Sequence, residues 1–169
     1  MGNDCSGGII GNRGVFSVPI KKEDVAELLR EQGISEGYAN TLFNYFNEAD
    51  TFDSKTNERG SDGVLSGGEF TRFWASLLSY SGIPVENLEK WYKECEFNML
   101  SFRLDVASMA GLYTVDRIDA LQQDIEYVNC LYESLGFPEK LKSTYDSVIN
   151  RLNNELSRLS NGDENQDNI

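Results

Sequence analysis

The side chains best placed to do chemistry lie between Asp50 and Phe70, in the run DTFDSKTNERGSDGVLSGGEF. The run carries carboxylates at Asp50, Asp53, Asp62 and Glu69 and a hydroxyl at Ser66. Oxygen donors of this kind suit a hard cation such as calcium. Gly63 permits the positive φ of a sharp turn, Val64-Leu65 can run extended for a moment, and Ser66 can cap a new helix. Glu69, three residues after Ser66, completes an S-x-x-E capping box. The same residues therefore admit two readings, a cation loop or a polar connection followed by an ordinary capped helix.

Other chemistries are excluded by what the chain lacks. There is no histidine, which removes the commonest general base and the commonest metal ligand together. Ser-His-Asp and Cys-His catalysis are out, and no paired-carboxylate or nucleophile–base spacing stands out among Asp, Glu, Tyr and Cys. The expectation is a non-enzymatic protein with no small-molecule substrate. A formal net charge of −13 disfavours binding to nucleic-acid phosphates, or to an anionic lipid surface through charge alone. Cys5, Cys95 and Cys130 are odd in number, far apart and without a C-x-x-C pair. Neither a disulfide framework nor a zinc site is indicated, and a reducing compartment is expected.

The elements that must position the loop read as helices. With 169 residues, 40% of them hydrophobic, the chain can form one compact core or a pair of small helical lobes. Apolar periodicity predicts helices over about 20–32, 36–49, 67–80, 85–103, 115–135 and 139–159. Phe70, Phe73, Trp74, Leu77 and Leu78 recur at i, i+3, i+4, i+7 and i+8. Ile118, Leu121, Ile125, Val128, Tyr132 and Leu135 alternate spacings of three and four. Gly136-Phe137-Pro138 is a strong helix stop, so the helices on either side of it must pack antiparallel. Gly7 to Gly14 reads as a flexible lead, Val15-Phe16-Ser17-Val18 as a brief extended segment, and Asn161 to Ile169 as a disordered tail.

Asp62-Gly63-Val64-Leu65-Ser66-Gly67-Gly68-Glu69-Phe70, entered and left by amphipathic helices, resembles the closing half of an EF-hand calcium loop, and Phe46 stands four residues before Asp50 as the last apolar residue of an incoming EF-hand helix does. The resemblance covers residues 21–135. It implies that calcium is held by Asp50, Asp53, Asp62, Val64, Ser66 and Glu69, with Glu69 as the closing bidentate ligand. Asp50 to Glu69 spans about 20 residues where the motif has 12, so either Ser54–Gly60 loops out or the site is vestigial. Lengthening a flexible loop by this factor costs only about 0.5 kcal/mol. A second stretch, Gly111 to Ile118, has the cadence of a closing half-loop but Arg117 in place of the glutamate. It is expected to bind no ion and either to pair Leu112-Tyr113 with Val64-Leu65 or to form a plain helix-turn-helix corner.

Met1-Gly2-Asn3-Asp4-Cys5-Ser6 matches the signal for N-myristoylation of Gly2, with Cys5 as a palmitoylation candidate that would supply the second anchor one acyl chain needs. No secretory h-region or bilayer-spanning run is present. The expected organisation is a flexible acylation-type N-terminus over 1–19, an EF-hand-like domain over 20–135, a C-terminal helix over 136–160 and a tail over 161–169. The expected fold class is all-α, EF-hand-like helix pairs followed by an antiparallel helical hairpin. With the myristoylated calcium sensors as the nearest family type, the implied function is a calcium-binding adaptor at the cytoplasmic face of a membrane that docks a target-protein helix. The alternative is a calcium-independent, membrane-anchored helical scaffold or effector-like protein whose last two helices bind the partner.

Overall fold

The computed structural model describes residues 5–12, 18–51 and 63–167, with side chains as far as Asn161. The fold is all-α apart from one pair of two-residue strands. No helix among the described residues is long and apolar enough to cross a membrane. The chain divides into two compact units, residues 17–95 and residues 96–169 together with 1–16. This differs from the expected boundaries at 19 and 135, because the N-terminal segment packs into the second unit.

In the unit 17–95, β1 (Ile20–Lys21) leads into α1 (Lys22–Glu31), which starts where the Asp24 carboxylate accepts the Lys21 backbone N–H at 2.9 Å. Val25, Leu28 and Leu29 form its buried face. α2 (Glu36–Asp50) begins at Ser35, whose Oγ accepts the Tyr38 N–H. It buries Leu42, Phe46, Ala49 and Asp50 and packs against α1 and α3. β2 (Val64–Leu65) pairs antiparallel with β1, Ile20 opposite Leu65 and Lys21 opposite Val64. α3 (Gly68–Tyr80) follows, and its Phe73 meets Phe46 edge-on with ring centroids 5.4 Å apart. α4 (Val85–Asn98) contributes buried Leu88 and Trp91, and its Tyr92 stacks on Phe70. The boundary between the units falls within α4, between Cys95 and Glu96.

The strand pairing corrects one expectation. Val64-Leu65 pairs with Ile20-Lys21, whereas Leu112 and Tyr113 belong to the other unit, where both pack into its core. The expected helix over 85–103 also divides, at Met99, into α4 and α5 (Leu100–Met109). Leu100, Leu104 and Ala107 of α5 are buried. Nothing in the residue types around Met99 announces the division.

In the unit 96–169, α5 is followed by a 3-10 turn at Val115–Arg117, then α6 (Ile118–Ser134), a second 3-10 turn at Glu139–Leu141, and α7 (Lys142–Asp167). The stop at Gly136-Phe137-Pro138 is a helix-end motif in which the Phe137 N–H donates to the Tyr132 carbonyl and the Gly136 N–H to that of Glu133. Gly136 takes φ +83° there, a conformation that suits glycine. α7 packs on both α5 and α6, and Leu141, Val148, Leu152 and Leu159 are buried in the unit's own core. The last helix runs on to Asp167, so the expected tail from Asn161 is instead helical backbone over most of its length.

Of the lead expected to be flexible, residues 7–12 are fixed. The backbone N–H groups of Gly8, Ile9, Ile10 and Gly11 all donate to the carboxylate of Asp124, at 2.9–3.2 Å. The Tyr113 hydroxyl donates to the same group at 2.5 Å. Asp124 is wholly buried. Arg103, also wholly buried, donates from Nη1 to the Ile10 carbonyl at 2.9 Å and stands 3.7 Å from the Glu96 carboxylate. Ile9 and Ile10 join the core beside Leu121, Tyr127 and Val128. Cys5 is bonded to Cys130 of α6 with the Cα atoms 5.8 Å apart, which overturns the reading of both residues as thiols. Closing a loop over a separation of 125 residues removes unfolded-chain entropy equivalent to about 5 kcal/mol in the chain-entropy picture. Cys95 remains a thiol.

Burial, followed by the charge and hydrogen bond of Asp124, pushes the Tyr113 phenol well above its ordinary value. The folded chain holds that proton more tightly than the unfolded chain does. The contribution to stability is therefore complete below the unfolded phenol value, about pH 10, and is lost as pH rises beyond it. Tyr113→Phe is expected to lower the unfolding free energy by about 2 kcal/mol at neutral pH, since it removes a hydrogen bond to a buried charge. In urea titrations over pH, the gap between parent and variant should shrink above about pH 10. A constant gap would mean that the Tyr113 proton plays no part in it.

Candidate metal centre

The two ends of the acidic loop are held by α2 and α3. Phe46 and Ala49 are buried on α2 and fix its last turn, so Asp50, the final residue of that helix, is carried inward and left only 5% exposed. A carboxylate there faces the negative end of the helix dipole. One of its oxygens, Oδ2, accepts the Gly63 N–H at 2.8 Å. The other, Oδ1, is buried with no hydrogen-bond partner among the described residues. Gly63 makes its turn with φ +80°.

Immediately beyond Gly63, β2 places Leu65 in the core and sends Val64 and Ser66 outward, half-buried and exposed respectively. α3 begins at Gly68 with Gly67 as its cap, so Ser66 lies before the cap instead of forming it, and the Glu69 N–H donates to the Ser66 backbone carbonyl. This corrects the capping-box reading of Ser66. Glu69 sits in the first turn of α3, where the helix dipole favours a negative charge, and is 5% exposed.

Of the six ligand candidates, the structure thus places Asp50, Val64, Ser66 and Glu69. Asp53 and Asp62 lie outside the described residues, as does Gly2. Among the described residues no group of three or more Asp, Glu, Cys or His side chains is gathered closely enough to hold a metal ion. The buried, partnerless Asp50 oxygen and the buried Glu69 carboxylate are what fits a hard cation. Cys5 is withdrawn as an acylation candidate, because its sulfur is bonded to Cys130.

Asp124 and its partners escaped the reading of the sequence. The signal was present, since Asp124 falls three residues after Leu121 on the apolar face of α6, and Arg103 lies between Leu100 and Leu104. Asp124 is not a ligand site: both its oxygens are taken up by N–H and O–H donors.

Asp50→Asn keeps an oxygen for the Gly63 N–H and removes a buried charge from the negative end of α2. In chelator the variant is expected to be more stable than the parent by about 1 kcal/mol, read from the urea midpoint. A lower midpoint for the variant would show that the carboxylate is already satisfied without a cation.

Comparison with protein-family models, with curated proteins and with solved structures gives no match.

Proposed function

We propose that the chain is a non-enzymatic calcium-binding adaptor of EF-hand type, with its site in the connection between α2 and α3. The observation that carries the reading is Asp50. A carboxylate buried at the wrong end of a helix dipole, with one oxygen unmet among the described residues, is a costly arrangement for a loop that binds nothing. Two features support it. Asp50 and Gly63, on either side of the long insertion, are joined by a hydrogen bond, so the extra residues do not separate the ends of the loop. The β1–β2 contact, with Ile20 opposite Leu65, is the kind of short antiparallel pairing by which EF-hand loops join in twos, here with the segment before α1 as the second member.

Asp50, Glu69 and the Val64 carbonyl are the described groups that would hold the ion, with Ser66 beside them and Asp53 and Asp62 from the insertion. Calcium would supply positive charge to two buried carboxylates and couple the end of α2 to the start of α3. The implied partner is a target-protein helix with a basic face, suited to a net charge of −13. Leu78, Tyr80 and Val85 offer it exposed apolar surface. Membrane attachment in this reading rests on an acyl chain at Gly2 alone. The calcium-independent scaffold is less well supported, because the apolar stripe of α7 is occupied within its own unit.

Glu69→Gln separates calcium binding from a structural role. The melting temperature of the parent should rise with free calcium, reflecting about 2.7 kcal/mol of stabilisation at a hundred times the dissociation constant, and that of Glu69→Gln should not. A parent curve that stays flat from chelator to millimolar calcium would overturn the proposal.

A further inference from the structure

The segment 5–12 is held to its unit by contacts that involve no sulfur. Four successive backbone N–H groups converge on Asp124, Arg103 holds the Ile10 carbonyl, and Ile10 is completely buried. The glycines are required by close approach: a Cβ on Gly11 would lie 2.6 Å from the Tyr127 ring, and one on Gly8 would overlap the backbone of Ala120. Undocking this strap would leave a buried carboxylate without its donors, a strong reason for it to stay in place.

From these contacts we propose that Cys5 and Cys130 are a reversible thiol–disulfide pair kept together by the Asp124 cradle. Reduction then leaves two thiols side by side rather than a released N-terminus. The chemistry needs a low-molecular-weight thiol and its disulfide as co-reactants. A small thiolate attacks one sulfur of the bridge, giving a mixed disulfide and one protein thiolate. A second small thiolate attacks the mixed disulfide and leaves as the small-molecule disulfide. Two electrons pass to Cys5 and Cys130, which take up the two protons of the consumed thiols. Oxidation is the reverse. With the strap docked, the chain entropy of closing this long loop has already been lost before the second sulfur bond forms, so the disulfide is favoured over the dithiol. Weakening the cradle should shift that balance although neither sulfur is touched.

The test equilibrates the full chain in glutathione redox buffers, alkylates it and counts thiols by mass, with Cys95 contributing one throughout. Asp124→Asn and Gly11→Ala should each shift the equilibrium toward the dithiol at least about tenfold, or about 30 mV. In the reduced parent, the amides of Gly8 to Gly11 should remain protected from hydrogen exchange by about a hundredfold or more over free peptide. If Asp124→Asn fails to fold, Gly11→Ala carries the same reading with the carboxylate intact. Free-peptide exchange at these amides in the reduced parent would overturn the proposal, because the disulfide alone would then hold the strap. An equilibrium unchanged in the folded variants would overturn it as well.

Discussion

A carboxylate withdrawn from water must be met by hydrogen-bond donors or by a cation, and the two buried aspartates of this chain are answered differently. Asp124 receives four backbone N–H groups and a tyrosine hydroxyl. Among the described residues, Asp50 receives one N–H. The first arrangement is closed and structural: it ties an N-terminal strap to α6 across 113–116 residues of sequence and makes residues 5–12 part of the core they precede. The second is open among the described residues, and that opening is what gives the loop after α2 a functional reading.

The same constraint bears on Arg103, the buried basic residue of the unit 96–169. Arg103 reaches the Ile10 carbonyl and approaches Glu96, so a basic residue sits in the core only where backbone oxygen and carboxylate are both at hand. The disulfide adds to a strap already positioned by these groups. In the unit 17–95 the core is held by side-chain packing, with Phe46 against Phe73 and Leu65 completely buried. Its two buried carboxylates stand where the loop leaves α2 and enters α3.

The helices were legible because their apolar residues repeat at the helical period and their ends carry local signals. Phe73 and Leu77 are buried as that period requires, and Gly136-Phe137-Pro138 ends its helix by the expected motif. Asp50, four residues after Phe46, was singled out by the resemblance to an EF-hand loop. What could not be read was long-range. The glycine-rich lead looked flexible because nothing local shows that its N–H groups converge on a residue more than a hundred positions away. Three scattered cysteines give no sign of which two meet. The partner of Val64-Leu65 depended on which short segment tertiary packing brings alongside, and Ile20-Lys21 has no motif to advertise it.

The central claim, that the unmet Asp50 carboxylate belongs to a calcium site, is tested most directly by calorimetric titration of the full chain with calcium. Saturable binding of about one ion per chain is expected, as befits a single loop with these donors, with loss of that binding in Asp50→Asn. Titrations of the parent that show no saturable heat, or binding that Asp50→Asn leaves intact, would contradict it.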